Sequence, residues 1–433
     1  MNKILGLFLF FILISNCSLD KKSGIWQEEE KEKILKEKLV VEELFKDEKT
    51  LSEEVNSNVR ISLSAKLLND NFINNPTNND GRINYNGVLE KISKYKFSKI
   101  DNFIRFEPEI VFDKKSLIFF DNKGSILKFD QNSKLIWKKN YYTKGEKKLK
   151  PMLSMANFQN YLVIVDNLAK YYALDIKTGK LIWMKSNVAP FNSQIKIYKN
   201  KIFVVDFQNI LRCFSIETGD ELWNVITDNS FVKSQKKLSL ILSDSKVFFN
   251  NTLGDISAVD IKNGNLIWQT PTQDSSIFES SFQLKTSDLI SVKDLILFSN
   301  NKNEFYSIDV KSGTIIWKQK ISSIVRPVVS DNLVFTVSEN GYLIIIENKS
   351  GNIIRITNIF DKIKKKKRIN LKPVGFIIGK NNIYLTTNKG HLIVVSILTG
   401  RSNLLLKLGS NKLSRPFILD KNLFIIKNNA VIK

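Results

Sequence analysis

The sequence predicts an all-β protein, an eight-bladed β-propeller whose ring is closed by an N-terminal strand. Three observations predict it. A tail of the form small/Asp-x-x-x-Gly-x-x-x-Trp recurs along the chain. Its copies follow one another at intervals of about 40–50 residues, the period of arrays built from four-stranded units. The C-terminal residues then spell only the beginning of a further unit.

Four copies of the tail are well kept: YYALDIKTGKLIW to Trp183, LRCFSIETGDELW to Trp223, ISAVDIKNGNLIW to Trp268 and FYSIDVKSGTIIW to Trp317. Gly179, Gly219, Gly264 and Gly313 each stand four residues before the tryptophan, and Asp175, Ser215, Asp260 and Asp309 four before the glycine. Three degraded copies extend the series. One ends at Trp137 with Ser133 near the glycine position, one keeps Gly351 but has Arg355 for Trp, and one keeps Gly400 with Leu404 in that place.

Each repeat reads as a chain of short strands. Alternation at Tyr172, Leu174 and Ile176 marks a strand. The Asp-x-x-Thr-Gly that follows marks a tight hairpin, with glycine supplying a positive φ and Asp or Thr bonding the turn backbone. Leu181-Ile182-Trp183 is apolar on both faces, which predicts a strand covered on both sides. Two further runs precede each hairpin, for example residues 194–198 and 201–206, or 239–242 and 246–250. Four strands per unit make a propeller blade. Tryptophan at the end of the fourth strand is expected to wedge between blades, burying on the order of 150–250 Å².

The C-terminal LSRPFILDKNLFIIKNNAVIK supplies the first strands of an eighth unit and stops before any Gly and Trp. An unpaired sheet edge is a liability, so the missing strand is expected from the front of the chain, at residues 87–92. Seven blades with loose ends is the alternative.

The N-terminus predicts export. Lys3 precedes the apolar run of residues 4–14 and then Ser15-Asn16-Cys17, a run too short to span a bilayer and suited to a signal peptide. The segment resembles a bacterial lipobox, with Asn16 where a small residue is usual. That resemblance implies cleavage before Cys17 and acylation of it; an ordinary signal peptide with an incidental cysteine is the alternative. Residues 1–16 are thus expected as the signal, 17–80 as a partly helical tether and 81–433 as the propeller. Within the tether, residues 28–55 carry Glu, Lys and a loose apolar stripe, and the turn-rich residues 74–81 read as a linker.

Composition adds a formal net charge of +23, from 66 Lys+Arg against 43 Asp+Glu. Nearly all the cations are lysines spread along the chain, and Asn and Ile abound, as a coding bias would leave them. No nucleic-acid partner is expected of an exported chain. The dense cluster at residues 362–368 (KIKKKKR) falls in an inter-blade loop, either solvated or in contact with anionic headgroups or an acidic partner. No catalytic group stands out. His391 is the single histidine, Cys213 reads as core, no Cys/His set has metal-ligand spacing, and no Gly-rich phosphate loop follows a strand. No cofactor and no metal are expected.

The tail, best kept at Ala173, Asp175, Thr178, Gly179 and Trp183, resembles the quinoprotein-type (PQQ-like) propeller repeat. Two families share it: quinone-dependent alcohol and sugar dehydrogenases, and the outer-membrane protein assembly factor BamB family, lipoproteins with eight-bladed propellers. The lipobox, tether and repeat count are similar to the second. That resemblance implies a non-enzymatic scaffold, lipid-anchored to the outer membrane and facing the periplasm. Its implied partners are the POTRA domains of the BamA insertase, other barrel-assembly subunits and nascent outer-membrane proteins. It implies partner contacts after Trp223, with Phe231, Val232 and Lys233 in the matching loop; the acidic pair of the family falls near Gln283 to Lys285, where no acids stand. A PQQ-dependent dehydrogenase is the runner-up, and a surface-exposed or peptidoglycan-binding propeller the third reading.

Overall fold

The computed structural model describes residues 53–69, 75–87, 89–90, 94–96, 109–227, 236–272, 284–427 and 431–432. The chain divides into two units between Lys49 and Thr50, and the architecture below is that of Thr50–Lys433. Cys17 and most of the expected tether lie outside the described residues.

Among the described residues seven four-stranded antiparallel sheets follow one another, each an up-and-down meander with strands in sequence order. The first contains Val111–Asp113, Ser116–Phe120, Ile126–Phe129 and Leu135–Lys139. The second contains Leu153–Phe158, Tyr161–Asp166, Lys170–Asp175 and Leu181–Ser186. The remaining five span residues 196–226, 240–270, 290–319, 328–358 and 373–407. A further set follows: Phe417–Leu419 pairs with Asn422–Phe424, while Ile426–Lys427, Val431–Ile432 and Tyr95–Lys96 pair in a second small sheet. This is the all-β, repeated-sheet architecture of a PQQ-type β-propeller. Tyr95 stands opposite Ile432 and Lys96 opposite Val431. The N-terminal strand that meets the C-terminal segment is therefore a few residues later than the one expected at 87–92, whose described part lies in no strand.

Each hairpin folds as its residues require. In the second sheet Asp175 accepts from the Thr178 amide at 2.8 Å and its hydroxyl at 2.7 Å. Gly179 closes the turn onto the Asp175 carbonyl with φ 69°. Ser133 takes a positive φ of 65° in the degraded first copy, so the turn survives without glycine. Burial is not what lowers the Asp175 pKa; the bonds from Thr178 do so first, which makes the repeated aspartates turn residues.

The fourth strands hold the sheets together. Each tryptophan lies against the hairpin glycine of the next sheet: Trp137 on Gly179, Trp183 on Gly219, Trp223 on Gly264, Trp268 on Gly313 and Trp317 on Gly351. A Cβ added at Gly313 would stand 2.6 Å from Trp268 Cδ2, a separation no side chain tolerates. Three indoles also donate to that hairpin's backbone: Trp183 to Ile216 O at 2.8 Å, Trp268 to Val310 O at 3.2 Å and Trp317 to Asn348 O at 2.9 Å.

The two residues before each tryptophan correct one expectation. Leu181 and Ile182 are 42% and 45% exposed, and Leu135, Ile136, Leu266, Ile267, Ile315 and Ile316 are exposed likewise. The cause is a bulge. Ala173 pairs with Trp183 but Leu174 with Leu181, so one extra residue enters the fourth strand. All seven sheets share this register shift between third and fourth strands. In the first, second, fourth and fifth sheets two consecutive aliphatic side chains then sit on the outer edge while tryptophan turns inward.

The core consists of one apolar layer per pair of neighbouring sheets. Phe203 and Val205 of the third sheet meet Leu240 and Phe249 of the fourth; Phe248 meets Phe298 and Tyr306 of the fifth. Ile377 and Tyr384 of the seventh meet Ile418 and Ile425 of the terminal set. Phe417, Phe424 and Tyr95 of that set pack in turn with Val111 and Phe119 of the first sheet.

The sixth-to-seventh junction is built differently. Arg355, fully buried, occupies the tryptophan position and lies against Gly400. Its Nη1 donates to Val59 O at 2.9 Å and Leu398 O at 2.8 Å, and its Nη2 to Ile397 O at 2.9 Å. Residues 53–63 run along this junction: Val55 bridges Ile356 antiparallel, and Ile61 and Leu63 enter the layer shared by sheets six and seven.

These contacts predict unequal costs. Trp317→Ala is expected to destabilise by about 3–5 kcal/mol, as for large aromatic truncations in cores, whereas Ile182→Ser on the exposed edge should stay within about 0.5 kcal/mol. Urea denaturation of the two variants measures both, and equal losses would contradict the assignment of the indole as the inter-sheet contact.

Candidate functional site

The first strands of neighbouring sheets lie side by side, and one short N-terminal segment binds them in succession. Lys196 Nζ donates to Asn75 O at 2.5 Å and to Asn78 Oδ1 at 2.6 Å. Leu242 N donates to Pro76 O and Ser291 N to Thr77 O. Asn78 Nδ2 reaches Gln194 Oε1 at 3.0 Å and Leu289 O at 3.0 Å, Asn79 brackets Val329, and Ile83 N donates to Ile378 O. Residues 75–83, read from the sequence as linker and its margin, therefore hold the inner strands of sheets three to seven at a common hub.

A charged cluster occupies that hub. Arg326 binds Asp288 at 2.6 Å, Glu109 at 3.5 Å and Asp80 at 4.0 Å; Arg415 reaches Asp80 at 3.3 Å, and Lys236 stands 3.9 Å from Asp288. Burial works against the Asp288 carboxylate, but Arg326, Lys236 and Arg415 outweigh it and hold its pKa below the ordinary value. Burial, aided by Arg326, pushes the Lys196 ammonium down to about 7, against the pull of Glu109 and Asp288. Asp80 Oδ1, Arg326 Nη1 and Arg415 Nε and Nη2 lack hydrogen-bond partners yet are sealed from solvent. This part of the cluster ties Asp80 of the N-terminal segment to Arg326 and Arg415.

Asp288, Glu109 and Lys236 are the partly exposed members, and two connections between sheets start or end at described residues of this part of the chain. Residues 228–235 join sheets three and four, and residues 273–283 join sheets four and five. Their stems are fixed: Thr227 Oγ1 donates to Asn209 O at 2.8 Å, Lys236 Nζ to Thr286 O at 2.5 Å and Ile324 O at 3.0 Å, and Tyr306 OH to Thr272 O at 2.8 Å. Phe231, Val232 and Lys233 lie in the first loop, outside the described residues. At the position matching the acidic pair, Leu284 is buried and the Lys285 amide bonds Asn301; three residues on, Asp288 is an acid of the charged cluster.

Sequence reasoning missed Asp80, Glu109, Asp288, Arg326 and Arg415, which stand far apart along the chain and share no motif. One signal was present. Arginine is scarce among the cations, and Arg212, Arg326, Arg355 and Arg415 are all buried, as its forked, weakly hydrated head favours. Cys213 is buried and free, its thiol pushed up to about 12 by burial. His391 opens a strand of the seventh sheet. Among the described residues no group of His, Cys, Asp and Glu has the arrangement to hold a metal.

Sheets, bulges and hairpins together define a PQQ-type β-propeller. The family model described as outer membrane protein assembly factor BamB matches residues 122–357, more than half of the chain, and the chain belongs to that family. No protein of curated function matches the sequence. Among solved structures, BamB from Moraxella catarrhalis is similar with a TM-score of 0.63 at 15% identity, over 80% of this chain and 98% of that one. The quinohemoprotein alcohol dehydrogenase from Comamonas testosteroni is similar with a TM-score of 0.58 at 11% identity, over 77% and 71%. The computationally designed protein Ika8 gives a TM-score of 0.56 at 13% identity, over 78% and 98%.

The Lys196 environment predicts a pH dependence. A lysine whose folded pKa is depressed binds its proton more weakly than in the unfolded chain. Its burial cost is fully present below about pH 7 and is relieved as pH rises toward the ordinary lysine value. Lys196 alone thus contributes a rise in stability with pH of at most about 1.4 kcal/mol per unit across that window. Lys196→Met should flatten that rise in denaturant midpoints measured between about pH 7 and 10; an unchanged slope would contradict the depressed value.

Proposed function

We propose that the protein is a non-enzymatic scaffold of the outer-membrane β-barrel assembly machinery. It is anchored through acylated Cys17 and faces the periplasm. Its ring has eight blades, the last completed by Tyr95–Lys96. The connection that carries Phe231, Val232 and Lys233 binds the periplasmic domains of the barrel insertase and orients them toward incoming outer-membrane proteins. The observation that carries this reading is membership of the BamB family over residues 122–357. Closure is supported by the pairing of Tyr95 with Ile432 and by the apolar layers on both sides of the terminal set. The binding surface is supported by the stem residue Lys236, which stands at the partly exposed, charged hub, and by the fixed stem at Thr227.

The second reading, a PQQ-dependent dehydrogenase, has the fold likeness to the alcohol dehydrogenase in its favour. Against it stand two cysteines far apart in the chain, which offer no vicinal disulfide. Adding PQQ and Ca²⁺ separates the readings: a bound-quinone spectrum with dye reduction supports the dehydrogenase, and neither supports the scaffold.

A photocrosslinker at Phe231 in cells should capture the barrel insertase as a defined adduct. Phe231→Glu combined with Lys233→Glu should reduce co-purification of the insertase by roughly tenfold or more, the scale of a lost interface anchor, with unfolding midpoints unchanged. Capture of no assembly subunit from an acylated, folded protein would overturn the proposal.

A further inference from the structure

The basic run at residues 362–368 is a fixed platform rather than a slack loop. It lies between the sixth sheet, which ends at Asn358, and the seventh, which starts at Pro373. Ile359, Phe360, Ile363 and Leu371 are buried in the apolar layer of those sheets. Arg368 folds back onto its own loop, donating to Ile363 O and Asp361 O at 2.6 Å each. Ser402 Oγ donates to Ile359 O at 2.5 Å. Lys365–Arg368 forms a short helix.

What the platform turns outward is uniform in character. Lys362 and Lys364 to Lys367 are exposed, with Asp361 the single acid between residues 359 and 372. Ile369, 79% exposed, projects beside them although its apolar neighbours are tucked away. Lys407 of the seventh sheet adds to the same field: burial first, then Lys407 and Lys367, lower the His391 pKa. A rigid patch of cations around a protruding aliphatic side chain has the chemistry of an interfacial membrane contact, where charge draws the surface to anionic headgroups and the apolar residue enters the acyl boundary.

The chain's path points the same way. Glu54 accepts from the Asn358 amide at 2.9 Å and pairs with Arg401, and Asn56 Nδ2 donates to Ile354 O. Residues 54–56 thus run antiparallel to the last strand of the sixth sheet, and Glu54 lies at the end of that strand from which the basic platform grows. The first described residues of the N-terminal segment and the patch share one edge.

We propose that this platform docks on an anionic bilayer surface, as a second membrane contact beside the lipid anchor. The proposal rests on the anchored-scaffold reading for its setting, but the contact itself does not require acylation.

The test uses the mature chain from position 17 carrying Cys17→Ser, co-sedimented with phosphatidylcholine vesicles with and without about one-third phosphatidylglycerol. Binding to the anionic vesicles alone is expected, lost at high salt. Joint replacement of Lys364, Lys365, Lys366 and Lys367 by Gln should lower the partition coefficient by roughly tenfold or more, and Ile369→Asp should lower it further. A control replaces Lys177, Lys262, Lys311 and Lys349, exposed at hairpins on the opposite ends of the sheets, by Gln; it removes the same charge and should leave most binding intact. Equal losses in the two quadruple variants would reduce the effect to net charge and overturn the proposal, as would no binding to anionic vesicles. Failure of the anchor reading is seen separately, in the mass of Cys17 from cells.

Discussion

Five times in this chain an indole lies on the glycine of the next hairpin, and the rest of the structure is arranged around that contact. The glycine has no Cβ because Trp268, for one, occupies the place at Gly313 where it would go. It takes positive φ because the hairpin must turn tightly there. The bulge before each tryptophan rotates the ring inward and, at four of the five, leaves two aliphatic residues on the rim. Three indoles add a hydrogen bond to the neighbouring hairpin backbone, so the contact fixes orientation as well as burying area. A repeat protein whose units meet only their neighbours depends on such interfaces, since no single sheet has a core of its own.

The junction between the sixth and seventh sheets, where arginine takes the tryptophan position, shows what else can serve. Arg355 fills the space with a guanidinium, a group costly to bury unless its donors are met. Three carbonyls accept from its two terminal nitrogens, leaving Nε buried without a partner, and one of them belongs to Val59 of the N-terminal segment. The segment that precedes the sheets is therefore part of their packing here. It is again at the hub, where Asn78 and Asp80 sit among the inner strands. This region holds the structure at its rim and its centre.

How much was legible follows from what kind of constraint each feature obeys. Hairpins and inter-sheet tryptophans are local and repeated, so Gly179 and Trp183 announced both the sheets and their order. The bulge was not legible, because Leu181-Ile182-Trp183 reads as a doubly covered strand until the register is known. The pairing of Tyr95 with Ile432 depends on contacts between opposite ends of the chain, and the sequence pattern placed that strand a few residues early. The hub was invisible for the same reason: Asp80, Asp288, Arg326 and Arg415 meet only after the sheets converge. The partner loop was reached through family likeness alone, and its stems at Thr227 and Lys236 give that likeness a physical setting.

The contact between indole and glycine is tested most directly by a double-mutant cycle at Trp268 and Gly313. Gly313→Ala introduces a Cβ against the ring and strain at positive φ; Trp268→Leu removes the ring but not the strain. The account predicts that Gly313→Ala costs clearly less in the Trp268→Leu background, with a coupling energy of about 1 kcal/mol or more by denaturant titration. Additive costs, with coupling near zero, would contradict it.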